Sequence, residues 1–317
     1  MSTRWIGGIL VGVFFYAAVG LYVGLSEVSS TIKAIGWSWW LYTIGVVSLG
    51  HLLLLARWHL DLRLLGHPLP LADSARIYIS GLSLIMAPAR GGETLRGLWL
   101  KKLHAVPIQI GVGITLSERL LDLTSALLLA AWGLGGRVIP AVAVGCGAAA
   151  AGAWLMTHPV AIRWLERQTR EGMIPGHWER IHKILREMLA SLMTLRRLMK
   201  PVPLLVGISL SCFAWLLEAW ILWRLFLVMN VDIAMAKVAA IRTISSIAGV
   251  LSFLPAGLGT SELSAIGMAL LFGATRPQAL AATLILRFST VLMPFLVGSM
   301  VLLASPSLYR KGREQQD

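Results

Sequence analysis

The chain is 317 residues long, 57% of them hydrophobic and 14% charged, with a formal net charge of +13 and a mean hydropathy of +0.75. A soluble domain of this length does not reach that composition, and several windows of about 20 apolar residues mark a polytopic membrane protein. These runs do not alternate polar and apolar residues, which excludes an outer-membrane barrel and leaves helices, whose backbone groups bond within their own segment.

Residues 5–25 are expected to make the first span. The opening MSTRW and the apolar run after it carry no small-residue cleavage site, so the segment reads as a retained anchor. Residues 37–58 make the second, with Trp37, Trp39 and Trp40 at one end and Trp58 at the other, as two interfacial belts require. Arg57, Arg63 and Arg76 then flank a polar loop containing Pro68 and Pro70. Residues 74–89 are apolar but too short to cross. Pro88, with Gly91 and Gly92, stops them near the midplane, and a short helix from about Thr94 leads back to Lys101 and Lys102. That is a re-entrant hairpin, 74–102. Residues 106–133 and 138–156 make the third and fourth spans.

Residues 157–200 are polar and basic. Within them 177–199 read as an amphipathic helix, with Ile181, Ile184, Leu185, Met188, Leu192, Leu195 and Met199 on one stripe. It is expected to lie on the cytoplasmic membrane surface as a linker. Residues 202–229 make the fifth span, 236–273 a second re-entrant hairpin broken at Pro255 and Gly257–Gly259, and 277–303 the sixth. Cys146 and Cys212 lie inside apolar segments and read as packing residues. The fold class is therefore an all-α polytopic membrane protein, with a first half over 1–156, a linker over 157–200 and a second half over 201–317.

Orientation follows from the bases. The 157–200 linker and the tail Arg310, Lys311, Arg313 are Lys/Arg-rich and belong in the cytoplasm. Six full spans and two hairpins entering from opposite faces satisfy both, with the two termini cytoplasmic and the protein in the plasma or inner membrane. The charge needs no nucleic acid partner, because the bases lie between spans and meet an anionic membrane surface.

The two halves echo one another. GLSLIMAPARGGETLR (81–96) and SERLLDL (117–123) answer to GVLSFLPAGLGTSEL (249–263) and LILRFSTVLMP (284–294). Arg76, Pro88, Glu93 and Arg119 correspond to Arg242, Pro255, Glu262 and Arg287, at offsets of 166, 167, 169 and 168 residues. This is the pattern of a duplication, and with hairpins of opposite entry the copies are inverted repeats around a midplane site.

Ionisable residues inside spans cost about 2.5–3.5 kcal/mol each, so they face partners or a cavity. Here they are Arg90, Glu93, Arg96, Glu118, Arg119, Asp122, Glu218, Arg224, Glu262 and Arg287. One reading is internal pairing: Glu93 or Glu118 with Arg119, and Glu262 with Arg287, holding the broken helices. The other is a headgroup site. Arg90, Arg119 and Arg287 would fork onto phosphate oxygens, helped by the backbone at Gly91, Gly92, Gly257 and Gly259 where half-helices begin. Glu93, Glu118, Asp122 and Glu262 would balance those charges or carry protons. His51, His59 and His67 are eight apart and leave one helical face, so no metal site is expected, and no cofactor motif is present.

PARGGETLR (88–96), SERLLD (117–122), LPAGLGTSE (254–262) and LRFSTVLMP (286–294), in this order and spacing, resemble the lysylphosphatidylglycerol synthase transmembrane-region family, also called the flippase-like domain family. The resemblance covers nearly the whole chain. It implies a domain that moves lipid between leaflets, in some members beside a lipid-aminoacylating enzyme and in others beside hopanoid or polyprenyl-linked glycosylation. It does not carry over the synthase activity, since no segment here has the length of a soluble synthase domain. The expectation is a non-enzymatic flippase for a lipid with an anionic headgroup: a phospholipid, an aminoacyl-phospholipid or a polyprenyl phosphate. The alternatives are a non-transporting accessory subunit partnering a lipid-modifying or glycosyl-transferring enzyme, and an intramembrane transferase, against which stands the lack of a metal-binding acidic motif.

Overall fold

The computed structural model describes residues 36–86, 93–135 and 179–309, with isolated positions between 140 and 167, and only the backbone of 179–183. The expected first and fourth spans, Pro88, Arg90, Gly91 and Gly92 lie outside the described residues.

Every described element is helical. In chain order they are α1 (Trp37–Leu64), α2 (Leu71–Leu82), α3 (Arg96–His104), α4 (Ile108–Leu134), α5 (Glu179–Leu198), α6 (Pro201–Val228), α7 (Met235–Leu251), α8 (Thr260–Leu271), α9 (Arg276–Arg287), α10 (Met293–Leu303) and α11 (Pro306–Tyr309). Prolines punctuate the starts. Pro70 and Pro107 precede α2 and α4, and Pro201 opens α6, where a missing N–H costs nothing. A π turn, Phe288–Leu292, joins α9 to α10. Pro294, which has no N–H for the Thr290 carbonyl one turn back, accounts for it.

Among the described residues, three stretches are long and apolar enough to cross a bilayer: α1, α6, and the continuous Arg276–Leu303. Helix α4 matches them in length at 27 residues, but every 18-residue window along it contains Glu118, Arg119 and Asp122. By contrast α2, α3 and α8 have 12, 9 and 12 residues and α7 has 17. At 1.5 Å per residue all four fall short of the ~30 Å hydrocarbon thickness. Helix α1 runs six residues beyond its expected end at 58, so Arg57 lies inside a helix and is 3% exposed rather than flanking a loop.

Several contacts in one half have a counterpart in the other. Helix α2 packs on α10 of the other half, and α7 packs on α4. The α3–α4, α2–α3 and α1–α2 contacts are matched by α8–α9, α7–α8 and α6–α7, and α1 crosses α6. Two glycines allow the cross-half contacts. A Cβ on Gly298 of α10 would stand 2.5 Å from Ser83 N and 2.7 Å from Ile79 O, and one on Gly133 of α4 would run into the Ala236 carbonyl and Ala240 of α7. Helix α5 packs along α4, burying Leu189, Ser191, Thr194, Leu195 and Leu198. The stripe expected from periodicity is turned away at its start, where Ile184 and Met188 are exposed.

Among the described residues two apolar cores result. One gathers Trp39 and Val47 of α1 with Ile221–Phe226 of α6 and parts of α7, α8 and α9. The other gathers Leu55, Trp58 and Leu62 of α1 and Leu65 just beyond it with α2, α3 and Ile114.

Candidate functional site

Glu118, Arg119 and Asp122 occupy adjoining positions of α4, and each meets a different element. Glu118, 2% exposed, receives both Nη atoms of Arg96. The Arg96 Nη2 also reaches Glu93 Oε2 at 3.2 Å, and its Nε donates to the Glu93 carbonyl at 3.1 Å. Trp58 and Tyr78 face the same guanidinium, at 4.6 and 5.6 Å from the ring centroids. Gly81 leaves room for the stem, since a Cβ there would lie 2.7 Å from Arg96 Cδ. Arg119 Nη2 donates to Glu93 Oε2 at 3.0 Å, and its Nη1 lies 3.6 Å from Asp122 Oδ2. Asp122 Oδ1 in turn accepts from Arg57 Nη1 at 2.9 Å and from Ser211 Oγ of α6 at 3.3 Å, while Arg57 also donates to Ser211. The charges thus form one continuous network, Arg96 to Glu93 and Glu118, then Arg119, Asp122 and Arg57.

The second half is built on the break between α7 and α8. Phe253, Ala256, Gly257 and Gly259 all take positive φ there. Gly249 and Gly257 let the chain fold back on itself, because a Cβ on Gly257 would sit 2.6 Å from Gly249 Cα. Glu262 fastens the turn. Its Oε2 accepts from the Gly259 N–H at 2.8 Å, and its Oε1 accepts from Arg287 Nε at 2.7 Å. Arg287 Nη2 donates to the Ala256 carbonyl at 2.5 Å. Nearby, Arg242 Nε donates to Glu218 Oε2 at 2.7 Å and its guanidinium lies 4.7 Å from the Trp215 ring.

A cavity of about 80 Å³ lies between the two sets of charges. That is room for several waters or one phosphate-sized group. Its polar lining includes His51, Asp122, Glu218, Arg242, Arg287 and Thr290. His51 and Glu218 are 167 residues apart, and Asp122 and Thr290 are 168 apart. Those separations fall within the 166–169 range of the offsets noted in the sequence, and all four residues face one space.

Of the residues singled out from sequence, Asp122, Gly257 and Arg287 line this cavity. Gly259 and Glu262 stand behind Arg287. Arg119, Glu93 and Glu118 form the network on the far side of Asp122. Arg90, Gly91 and Gly92 lie outside the described residues. In the sequence Arg242 stands out only as a repeat marker, Glu218 and Arg96 only as ionisable residues inside apolar segments, and Arg57 only as a residue flanking a polar loop. The usable signal for Arg57 is its spacing of four from Asp61, which is helical.

The family model for the lysylphosphatidylglycerol synthase transmembrane region matches residues 5–298. The chain belongs to this family. The match takes in both sets of charges around the cavity. A UPF0104 membrane protein of Methanothermobacter thermautotrophicus is 26% identical over 293 residues, covering 82% of this chain and 84% of its own. Another, from Methanocaldococcus jannaschii, is 22% identical over 314 residues, with 93% of each chain covered. The family and the apolar helices together make this a membrane-embedded protein.

Proposed function

We propose that the protein is a flippase-like transporter that moves a lipid with an anionic headgroup, such as a phospholipid, aminoacyl-phospholipid or polyprenyl phosphate, between leaflets without altering it chemically. The observation that carries this reading is the charged, phosphate-sized cavity lined at repeat-matched positions by both halves. A group entering it meets Arg242 and Arg287 from the second half. Both already hold carboxylates, so a phosphate would compete with Glu218 and Glu262 for them, and partial exchange keeps binding weak enough for release. Arginine suits this role because its fork can hold one carboxylate and one phosphate oxygen together.

The rest of the reading follows from the packing. Two inverted repeats, each with a re-entrant hairpin (α2–α3 and α7–α8), would rock about the α1–α6 crossing and open the cavity to one leaflet and then the other. The four short helices and the exchangeable contacts support this. The basic linker containing α5, and both termini, would face the cytoplasm at the plasma or inner membrane.

The test is reconstitution with fluorescent phospholipid and polyprenyl-phosphate analogues, followed by exposure to a membrane-impermeant quencher. Movement faster than in empty vesicles is expected, with loss of at least tenfold on Arg287→Ala and on Arg119→Ala. Normal rates in both variants would remove the site assignment. One observation favours a second reading, an accessory subunit for a lipid-modifying enzyme: each buried arginine described above is already paired, as a static scaffold requires. Folded protein that binds the analogues and moves none would support it.

A further inference from the structure

Among the described residues of the two charge clusters, with Asp61 beside them, the charges do not balance. Five arginines (Arg57, Arg96, Arg119, Arg242, Arg287) stand against six carboxylates (Asp61, Glu93, Glu118, Asp122, Glu218, Glu262). Five of the acids have an arginine within salt-bridge distance. Asp61 does not. It is 6% exposed, near the end of α1, and its Oδ2 has no hydrogen-bond partner among the described residues. The charged groups facing it are Arg57, one turn back on its own helix, and Glu118 of α4. Helix α6 presents Ser211 to Arg57, and α2 presents Tyr78 toward the same two charges. A buried carboxylate without a partner is costly, and one proton removes that cost and evens the count.

We propose that Asp61 is a proton-binding site that controls Asp122. Arg57 is the link. With the proton on Asp61, Arg57 stays on Asp122 and Ser211. When the O–H bond breaks and the proton leaves to water, Asp61 becomes an anion one helical turn from a guanidinium whose Nε is itself unpaired. Arg57 then turns toward Asp61, and Asp122, which lines the cavity, loses a partner. The cavity gains negative character, which favours release of an anionic group. No covalent bond other than that O–H changes. The gating rests on the transport reading; the proton site does not.

Infrared spectroscopy of the protein in lipid tests the site directly. A protonated-carboxyl band is expected in acidic buffer, lost in alkaline buffer, and absent in Asp61→Asn at every pH. Should Asp61→Asn fail to fold, Asp61→Glu decides, because the band must shift with the side chain. No such band in the wild type, a band that survives Asp61→Asn, or one unmoved in Asp61→Glu overturns the proposal. In the vesicle assay with a fluorescent phospholipid, wild-type movement is expected to change with pH, and Asp61→Asn movement to be flat across the same range. A wild-type-like pH profile in Asp61→Asn overturns the gating. If no lipid moves at any pH while the infrared result holds, the transport reading fails and the proton site stands.

Discussion

Arg96 is 2% exposed, with two glutamates around its guanidinium and two aromatic rings facing it. Removing one partner of a buried pair leaves an uncompensated charge at a cost of about 3–5 kcal/mol. Arg96→Ala is therefore expected to lower the thermal midpoint in detergent far more than Arg76→Ala, whose guanidinium is 44% exposed beside Asp73. Arg96→Lys should rescue little, because an ammonium cannot reach two carboxylates and stack on Trp58 at once. Thermal unfolding followed by light scattering or intrinsic fluorescence reads both. The sequence carried the glutamate–arginine correspondence plainly: Glu93 with Arg119 and Glu262 with Arg287 both pair. It did not separate Arg96 from its neighbours, since depth in a membrane protein depends on which face of a short helix meets the next one. Arg57 was hidden by Trp58, which imitates an interfacial residue yet is fully buried against Arg96.

At the scale of elements, boundaries were legible wherever a proline or glycine stops an apolar run. Helices α6, α7 and α8 begin and end within about three residues of expectation for that reason. The linker helix was legible as a helix but not in its orientation, because the face buried on α4 is set by Gly113. A Cβ there would lie 2.8 Å from the Ser191 carbonyl, and periodicity alone does not report such a contact. The exchanged packing gives a prediction at this scale. Gly133→Val and Gly298→Val each push a side chain into backbone of the opposite half. Overpacking costs typically 1–3 kcal/mol. The two variants, 165 residues apart, should lose similar stability, each more than Gly147→Val, where a Cβ meets nothing within 4 Å. Unequal losses would count against equivalent seams.

At the scale of the whole molecule, the inverted-repeat reading makes a statement about sides. Single cysteines at Lys200 and Asn230, which bracket the 28-residue α6, should label from opposite faces of a sealed vesicle. Cysteines at Arg63 and Lys101, which bracket the α2–α3 hairpin, should label from the same face, with Cys146 and Cys212 replaced beforehand. Opposite labelling at Arg63 and Lys101 would mean that the segment between them crosses the membrane. The net charge of +13 and the long apolar runs made the membrane class plain from composition. The cavity was not readable, because it is assembled from α1, α4, α6, α7 and the π turn, which no local pattern joins.

The contact between α2 and α10 has a bearing on how the protein is made. Ser83 and Gly298 are separated by about 215 residues of chain, and translation adds roughly 5–20 residues per second. For some ten to forty seconds after α2 emerges, its final neighbour does not yet exist. Its partner face and the buried arginine behind it must be sheltered by the insertion machinery or by lipid until α10 arrives. The two halves are thus not successive modules completed in turn. Synthesis of α10 is the event that completes the surroundings of α2.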